Sequence, residues 1–567
     1  MLGDPRDALA QNGTLRGRDS IIRDTAHEYL ETLNPDDTSL SQIGDEILAA
    51  INDQIKTDNM VRGLMEEKTH KSLATLPPSI IGDIILTTQN IRRIAGGGLE
   101  QDANLDQLGV YTEYGENAGI YVVDDEQIQR IAKEINYLIT DHDVKEVISH
   151  IRAYAERTEI STDQDKIAVN NGIFDFKTKT LQPFDPDHVF LSKIPVDYNS
   201  GAMDVKITNS DGSIWTVESW MKSLSSDPKI VQLLWEGVSA LVRPNVSWDK
   251  AIFLISSKGC NGKGIYLAML RELAGTSAAS VSLKQLGERF GAASLFGKTA
   301  VLSDENDTGA IVENAEVFKS IVTHDTFTME KKHKDPFAYR FNGIAVFCAN
   351  SIPRFRDRTK SLYRRILAVP FDKNFYQKGE NKAIKSDYIH RKDVLEYVLY
   401  RALHCNVYKL SEPDSCKVSL EDVRIENDMV VQYCEEVLPH FSWDLIPFTL
   451  AYKIYQAFVR ETNPSAHPLG RNKFINELID LLEEKDYGFY CPDKNIPIKV
   501  GDLMQGSERM IIEYNILDWM DKHYTGPDLD KISKPELSSA YRGIIRRDRR
   551  DRSEDPNVKD LGKARDF

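Results

Sequence analysis

Apolar residues recur at three- and four-residue spacing in the first part of the chain, over residues 20–33 and again over 41–64. That period gives a helix one apolar face, so both stretches predict amphipathic helices. The glycine triplet Gly96-Gly97-Gly98 then interrupts the pattern and marks a boundary. We expect residues 1–95 to form a helical N-terminal domain, and nothing in their pattern indicates chemistry.

Strand-like patterns follow the triplet. Residues 119–123 form a short β-like run ahead of charged helices, and residues 166–176 alternate like strands around an Asn-Gly turn. We therefore expect an α+β region over 96–213. Helical spacing resumes over 215–242, as two helices broken at Asp227-Pro228.

The central stretch of the chain begins with five apolar residues, 251–255, followed at once by a glycine-rich turn and helical spacing. The apolar run is typical of a strand buried in a parallel sheet. Strand, glycine turn and helix are the context of a phosphate-binding loop, where backbone N–H groups and the helix N-terminus face one anion. Lys263 adds a full positive charge. The candidate nucleotide-binding residues are Gly259, Asn261, Gly262, Lys263 and Gly264.

The turn departs from the usual phosphate-loop pattern at two positions. Ser257 stands where the first glycine is expected, and Gly264 stands where a Ser or Thr is expected. Because the hydroxyl at the second position normally reaches Mg²⁺, magnesium binding lacks one expected ligand here. Taken alone, the stretch fits a chance glycine turn as well as a nucleotide site.

Two further buried strands are predicted downstream, and each ends in polar residues. The first ends in Asp304 and Glu305, and the second ends in Asn350. After a phosphate loop, an aspartate in this place holds Mg²⁺ and a glutamate orients or deprotonates the attacking water. Asn350 is a candidate for holding that water or the γ-phosphate, and an asparagine that caps a turn is the alternative.

Between those strands, residues 326–341 alternate apolar and polar side chains on both sides of a basic tip. The pattern predicts a β-hairpin whose cations hold nucleic-acid phosphates without reading bases. An ordinary exposed hairpin is the alternative. The candidate DNA-binding residues of the tip are Lys331, Lys332, His333 and Lys334.

Arg364 and Arg365 come directly before a fourth predicted strand. A guanidinium in that place can reach a nucleotide bound by a neighbouring subunit and stabilise charge in its transition state. We expect Arg365 to act in this way, with Arg364 as the substitute, and this role implies a ring of subunits.

Two helical patterns, over 449–461 and from Arg471 onward, precede an expected β-hairpin over 487–500. Two helices and a two-stranded wing follow the order of a winged-helix domain, whose second helix reads duplex DNA. Arg471, Asn472 and Lys473 start that helix and are candidate DNA contacts.

The formal net charge of −16 argues against a protein coated in nucleic acid, but the charge is uneven. Residues 331–365 contain ten Lys and Arg against two Asp, and residues 531–552 contain eight against three acids. Such islands suit nucleic-acid binding at chosen places, whereas solvated charged faces are the alternative. The sequence leaves open whether the arginines of the second island touch DNA or pack on acidic neighbours, namely Arg546, Arg547, Arg549 and Arg550.

At 567 residues, 41% of them hydrophobic, the chain is expected to form about three or four globular domains. Its six cysteines form no CxxC pair, so neither a zinc site nor a disulfide framework is predicted. No apolar run approaches the roughly 18 residues of a membrane helix, and the charged start lacks a signal-peptide core. We expect a cytoplasmic protein with no membrane partner.

The order of phosphate loop, Asp-Glu strand, basic hairpin, Asn strand and Arg-Arg strand resembles the superfamily 3 helicases, a branch of the AAA+ ATPases. Phe318-Lys319 is similar to a further motif of that family, and Lys332 with His333 is similar to the Lys-His pair of its viral members. The resemblance implies an ATPase that uses ATP and Mg²⁺ and assembles as a hexamer. It also implies that the Lys-His pair tracks one DNA strand through the pore, with 3′-to-5′ travel.

Residues 166–198 resemble the region that precedes the ATPase in phage and plasmid primase-helicases. Residues 165–480 are similar to replication-initiator helicases of staphylococcal pathogenicity islands and chromosomal cassettes, which also carry Gly-Lys-Gly in the loop. The resemblance implies a replication protein of a mobile genetic element in a bacterial host. Origin DNA and host replication proteins are the further partners that it implies.

The expected fold is α/β, with an AAA+ P-loop ATPase core over 214–400 and a helical linker plus winged-helix-like domain over 401–567. The expected activity is that of an ATP-dependent DNA helicase acting on single- and double-stranded DNA. Lys263 would bind the β- and γ-phosphates, and Asp304 and Glu305 would hold the metal. Two alternatives stay open: an origin-binding initiator that uses ATP only for assembly, and an AAA+ protein remodeller, which leaves the basic hairpin unexplained.

Overall fold

A computed structural model describes residues 15–35, 38–256, 259–304, 311–332, 335–356, 360–376, 381–462, 468–533 and 535–547. Among the candidate site residues, Glu305, His333 and Lys334 lie outside those ranges. The chain divides into two units, Met1–Lys417 and Val418–Phe567, and each has a hydrophobic core of its own. In the described ranges, no helix combines the length and the apolar character that a bilayer crossing requires.

Five helices build the N-terminal part of the first unit: α1 (Arg18–Thr32), α2 (Leu40–Leu64), α3 (Pro78–Thr88), α4 (Asp125–Ile135) and α5 (Asp141–Tyr154). Side-chain oxygens start three of them, because Ser39, Asp124 and Thr140 each accept a backbone N–H of the first turn. The apolar faces of all five meet in one core. The helices predicted over 20–33 and 41–64 are confirmed.

A four-stranded sheet, in the order β3-β2-β1-β4, shares this core. Its strands are β1 (Ile91–Ala95), β2 (Gln107–Thr112), β3 (Ile120–Val122) and β4 (Glu156–Glu159). β1 pairs antiparallel with β2 and parallel with β4. The sequence pattern placed β1 in a helical region, which is wrong, because five residues are too few to establish a period and pairing on both edges decides their conformation.

A buried carboxylate joins three segments of this sheet. The side chain of Asp106 is fully buried, and it accepts hydrogen bonds from Arg157 Nε at 2.6 Å and from Arg93 Nε at 3.3 Å. Arg157 Nη2 and the Gln101 amide donate two further bonds, at 3.2 Å and 3.1 Å. The bond to Asp106 raises the pKa of Arg157 above its ordinary value. Because Arg93 lies in β1 and Arg157 in β4, Asp106 ties neighbouring strands together.

Two small antiparallel sheets follow. The first contains β5 (Lys166–Val169), β6 (Gly172–Asp175) and β7 (Thr180–Gln182), and the second contains β8 (Ile207–Thr208) and β9 (Ile214–Trp215). β5 and β6 form the predicted hairpin around the Asn-Gly turn. The Asn171 amide group fixes this turn, because it accepts from the Tyr198 N–H at 2.9 Å and donates to the Tyr198 carbonyl at 3.0 Å.

The central part of the first unit is built on a five-stranded parallel sheet in the order β11-β12-β16-β10-β18. The elements of this part are α6 (Val217–Ser223), α7 (Pro228–Val242), β10 (Ala251–Ile255), α8 (Lys263–Ala274), β11 (Ala278–Ala279), α9 (Leu283–Leu286), β12 (Ala300–Ser303), β13 (Ile311–Val312), α10 (Glu316–Thr323), β14 (Thr326–Met329), β15 (Phe337–Arg340), β16 (Ile344–Ala349), β17 (Arg354–Phe355), α11 (Lys360–Tyr363), β18 (Ile366–Pro370), α12 (Lys382–Ser386) and α13 (Lys392–Leu403). β14 and β15 form the predicted antiparallel hairpin. The chain is a mixed α/β protein with a parallel sheet, as the strand patterns predicted.

Both faces of the parallel sheet are covered, which explains the unbroken apolar runs of its strands. Ile252 and Leu254 belong to the core that includes α7 and α8. Phe253 and Phe347 have ring centroids 5.1 Å apart, and both pack on Phe318 of α10. β10 comes first in sequence but lies between β16 and β18, so the turn after β10 opens where the strand order reverses.

Helix α14 (Asp414–Asn427) begins in the first unit and ends in the second. The second unit continues with α15 (Met429–Glu436), β19 (Leu445–Pro447), α16 (Phe448–Thr462), α17 (Arg471–Glu484), β20 (Phe489–Tyr490), β21 (Ile498–Lys499), α18 (Met510–Glu513), α19 (Leu529–Ile532), β22 (Ala540–Tyr541) and β23 (Gly543–Arg546). β19, β23 and β20 form an antiparallel sheet in that order. The predicted helices over 449–461 and from Arg471 onward are confirmed.

The hairpin predicted over 487–500 is wrong in its pairing. β20 pairs with β23 and β21 pairs with β22, so both strands lie along the C-terminal segment 540–546 and not along each other. A local turn pattern cannot reveal a partner that is distant in sequence. In that segment, Arg546 donates to Asp444 at 3.0 Å and Arg547 lies 3.1 Å from Asp486, so these two arginines pack on acidic neighbours. Arg549 and Arg550 lie outside the described residues.

Replacing Asp106 with alanine is expected to destabilise the first unit by about 3 kcal/mol, because two guanidinium groups lose their shared, fully buried counter-charge. Urea unfolding followed by circular dichroism measures the loss. The control is Asp187→Ala, whose side chain is 81% exposed and lies 3.5 Å from Arg92. Equal unfolding midpoints for the two variants would contradict the expectation.

Candidate functional site

The turn between β10 and α8 is held in place by neighbouring backbone. The Phe375 N–H donates to the Cys260 carbonyl at 2.8 Å, and Gly262 caps α8 with a left-handed backbone, φ +90°. A Cβ on Gly262 would lie 2.6 Å from Leu224 Cδ2. The left-handed backbone angle favours glycine at 262, and with a larger residue there the Leu224 side chain would also have to move aside.

Lys263, the first residue of α8, links two strands of the parallel sheet. Its ammonium Nζ donates to the Ser256 carbonyl at 3.0 Å, just past β10, and to the Ala349 carbonyl at 2.9 Å, at the end of β16. Burial lowers the pKa of Lys263, while Cys348 and Asp304 act against that shift. Burial raises the pKa of Cys348 to about 12, so its thiol is neutral at pH 7.

Three predicted site residues lie at the same edge of the sheet, namely Lys263, Asp304 and Asn350. Asp304 follows β12 and Asn350 follows β16, and β16 lies directly between β12 and β10. Because the strands are parallel, their carboxyl ends and the turn after β10 share that edge. Both side chains are exposed. A Cβ on Gly264 would lie 3.9 Å from Asp304 Oδ1, so the Asp304 carboxylate faces the first turn of α8.

A cleft of about 480 Å³ opens beside the turn. That volume is in the range of small-ligand pockets. Apolar and aromatic side chains from α6, α12 and the 371–376 segment line it together with the turn, chiefly Trp220, Ile265, Phe375 and Ile384. Lys382 and Lys385 of α12 also line it. Sequence reasoning missed these residues, since they share no local pattern and only the fold gathers them.

The hairpin of β14 and β15 carries two of the candidate DNA-binding residues in the described ranges. The Lys331 ammonium lies 3.5 Å from the Phe296 ring centroid and 5.3 Å from that of Phe337. Lys332 is exposed. Glu330 beside them is paired with Arg289 at 2.7 Å. Lys331 is thus held against aromatic rings, and Lys332 projects its charge to solvent.

The two candidate arginines differ in exposure. Arg365 is 9% exposed, and its guanidinium donates to the carbonyl and to the hydroxyl of Ser361 in α11. Arg364 is exposed. Of the two side chains, that of Arg364 is therefore the one accessible from outside the subunit.

In the second unit, Arg471, Asn472 and Lys473 form the first turn of α17, and all three are exposed. Lys473 lies 3.8 Å from Glu477 on the same helix. From the segment between β20 and β21, Lys494 donates to the Asn476 amide oxygen at 3.1 Å. One exposed face therefore combines the start of α17 with a lysine of the following loop.

Three protein-family models match the chain. Residues 20–225 match "D5 N terminal like", residues 425–500 match "Poxvirus D5 protein-like", and residues 254–365 match a family of unknown function, DUF5906. No curated protein matches. The chain is therefore similar to D5-type proteins over two separate stretches, one in each of its two units.

Solved structures with similarity to the chain include three of the NrS-1 C-terminal region. "The A form apo structure of NrS-1 C terminal region-CTR" is 13% identical, with 71% of this chain and 85% of that chain covered and a TM-score of 0.39. "The apo structure of NrS-1 C terminal region (305-718)" is 12% identical, with coverages of 73% and 88% and a TM-score of 0.39. The A form of the same 305-718 region is 13% identical, with coverages of 83% and 100% and a TM-score of 0.41. Because these TM-scores are all below 0.5, we draw no conclusion about this chain from the similarity.

Replacing Gly262 with alanine is expected to lower the free energy of unfolding by at least about 2 kcal/mol. Alanine is strained in the left-handed backbone conformation, and its methyl group overlaps Leu224. Thermal unfolding of the full chain measures the change. Gly259→Ala is the matched control in the same turn, because a Cβ there meets nothing within 4 Å. A melting temperature of Gly262→Ala equal to that of Gly259→Ala would contradict the steric argument.

Proposed function

We propose that the chain is an ATP-dependent DNA helicase with an AAA+ core of the superfamily 3 type, which moves on single-stranded DNA as a hexameric ring. The observation that carries the proposal is the meeting of Lys263, Asp304 and Asn350 at one edge of the parallel sheet. A cation, a carboxylate and an amide beside a glycine turn are the groups that a phosphoryl-transfer site needs.

In this proposal the triphosphate lies over the turn, and Lys263 binds its β- and γ-phosphates. The two carbonyls that accept from Lys263 keep the ammonium at the strand ends, so little reorganisation is needed on binding. The nucleoside enters the adjoining cleft, where Trp220 and Phe375 offer aromatic surface. Asn350 holds the γ-phosphate or the attacking water, and Glu305 deprotonates that water.

The chain's own groups fit a magnesium ion at this edge. Asp304 is an exposed carboxylate that faces the start of α8, and Mg²⁺ prefers one or two carboxylates together with phosphate oxygens and water. Gly264 contributes no hydroxyl, so Asp304, together with Glu305, would supply the protein's ligands. When bound, the ion would neutralise charge on the phosphates.

The hairpin of β14 and β15 grips DNA in this proposal. Lys332 and His333 contact the phosphate backbone, as the resemblance implies, and Lys331 and Lys334 add positive charge to the same tip. Point-charge contacts of this kind hold a strand without reading its sequence, which suits an enzyme that travels along DNA in the 3′-to-5′ direction implied by the resemblance.

A ring requires a group that reaches the neighbouring subunit's nucleotide. The exposed side chain of Arg364 is available for that contact, whereas the Arg365 guanidinium is held by Ser361 within its own subunit. This difference favours Arg364 as the residue that acts in trans, with Arg365 positioning the segment before β18.

A second candidate function, an origin-binding initiator that uses ATP only for assembly, is favoured by the second unit. The order β19, α16, α17, β20 and β23, with β23 between β19 and β20, supports a winged-helix-like domain. Its second helix begins with the exposed Arg471, Asn472 and Lys473. The two functions are compatible, because a helicase can carry its own origin reader.

The purified chain is expected to hydrolyse ATP faster with single-stranded DNA and to separate strands. Lys263→Ala should reduce hydrolysis by about 100-fold or more, because the phosphates lose their cation. Lys332→Ala combined with His333→Ala should keep hydrolysis within about twofold but reduce unwinding by about tenfold or more. A forked-duplex unwinding assay and phosphate release measure both, with the exposed Lys409→Ala as control.

Full hydrolysis by Lys263→Ala would reject the nucleotide site. Tight binding of one duplex sequence without any unwinding would favour the initiator alone.

Replacing Gly264 with serine is expected to lower the Mg²⁺ concentration at half-maximal nucleotide binding by roughly threefold or more, because the hydroxyl adds a ligand beside Asp304. Binding of a fluorescent ATP analogue, titrated with Mg²⁺, measures the shift. Gly264→Ala is the matched control, since it adds the same Cβ without the oxygen. Identical Mg²⁺ dependence in the two variants would show that the hydroxyl does not reach the metal.

A further inference from the structure

The glycine triplet after β1 lies against the hairpin of β14 and β15. The Arg340 N–H of β15 donates to the Gly96 carbonyl at 3.1 Å, so the chain beyond β1 lies along the hairpin's second strand. A Cβ on Gly97 would lie 2.7 Å from the Ala338 carbonyl oxygen and 2.8 Å from its carbon. Two backbones can approach so closely only where one residue has no side chain.

The requirement at Gly97 comes from the contact and not from backbone conformation. Its φ lies outside the left-handed region, where Gly98 has φ +104°. A Cβ on Gly96 would likewise lie 3.1 Å from the Tyr339 ring. A glycine-rich stretch in sequence usually indicates a flexible linker, whereas here two of the three glycines make a close contact possible.

The hairpin side of this contact is an aromatic cluster. The Phe296 ring centroid lies 5.3 Å from that of Tyr339 and 5.9 Å from that of Phe337. The buried Tyr339 hydroxyl accepts from the Gly297 N–H at 3.0 Å. Lys331 at the hairpin tip also lies over Phe296. The surface on which Gly96 and Gly97 rest is thus continuous with the tip.

The other end of the glycine segment is fixed to the N-terminal sheet. Arg157 of β4 donates to the Leu99 carbonyl at 2.8 Å and to the Gln101 carbonyl at 2.8 Å, while Glu159 accepts from the Leu99 N–H at 2.9 Å. Arg157 is itself held by the buried Asp106 at 2.6 Å. The segment therefore runs between two anchored ends.

We propose that Gly96 and Gly97 form a coupling segment, which positions the DNA-gripping hairpin and transmits its displacement to the N-terminal sheet. This inference rests on the proposed helicase function, because only a hairpin that moves with the nucleotide state has a displacement to transmit. The hairpin cannot shift by more than a hydrogen-bond length without breaking the Arg340–Gly96 bond or moving the segment with it. The N-terminal sheet thereby limits the hairpin's travel.

The test compares Gly97→Ala with Gly63→Ala in the full chain. Gly63 lies in α2, and a Cβ there meets nothing within 4 Å. Gly97→Ala should raise hydrogen exchange at the Arg340 amide by about tenfold or more, because that N–H loses its acceptor. It should leave ATP hydrolysis without DNA unchanged, while the stimulation by a single-stranded oligonucleotide and the unwinding rate fall about threefold or more.

A second variant, Glu159→Ala, loosens the far end of the segment from an exposed position without entering the hairpin. It should also lower the stimulation ratio, which is the rate of ATP hydrolysis with single-stranded DNA divided by the rate without it. The decrease should be smaller than in Gly97→Ala. Increased exchange at Arg340 with an unchanged stimulation ratio in both variants would overturn the coupling and leave the contact purely structural. Unchanged exchange in Gly97→Ala would overturn the contact itself. If the wild-type chain hydrolyses no ATP, the proposed function is rejected, and the coupling is rejected with it.

Discussion

The position of β10 between β16 and β18 is the constraint on which the candidate site depends. Because β10 pairs in parallel on both sides, its carboxyl end opens at the same edge as those of its neighbours. Lys263 can then bond one carbonyl just past β10 and another at the end of β16, which compensates for the burial of its ammonium. Asp304 and Asn350 reach this edge only because β12 and β16 follow in order. A different strand order would separate the same residues.

Close backbone approach is the second recurring device of the first unit, and glycines provide it in different ways. Gly262 combines a left-handed backbone with contact to Leu224, and Gly97 has an ordinary backbone but contacts Ala338. Gly264 has neither constraint and simply leaves space in front of Asp304. Gly262 is restricted by its backbone angle and Gly97 by packing, whereas Gly264 is open to a larger residue. One of the two departures from the usual phosphate-loop pattern, Gly264, is thus at a position that the fold itself does not restrict.

Whether a basic side chain presents its charge to solvent depends on whether an acidic group pairs with it, and less on how many basic residues lie nearby in sequence. In the second basic island, Arg546 and Arg547 bond acidic side chains or carbonyl groups of their own unit. In the first, Glu330 is paired with Arg289, which leaves the charge of the exposed Lys332 unopposed by that carboxylate. An acidic chain can thus present a cation at a hairpin tip despite its formal net charge of −16. Counting basic residues along the sequence does not distinguish these two cases.

The sequence by itself determined the elements whose signal is local. The buried strands, the glycine turn after β10, the basic hairpin and the helices over 20–33, 41–64 and 449–461 all follow from periodicity, apolar runs and turn residues. Tertiary structure alone decided the rest. It gave β1 its two partners, directed β20 and β21 to the C-terminal strand, buried Arg365 beside Ser361, and seated Gly96 and Gly97 on the hairpin. The physical reason is common to all four: each depends on a contact between residues brought together by packing, whereas a pattern in sequence reports only which face of its own element is buried.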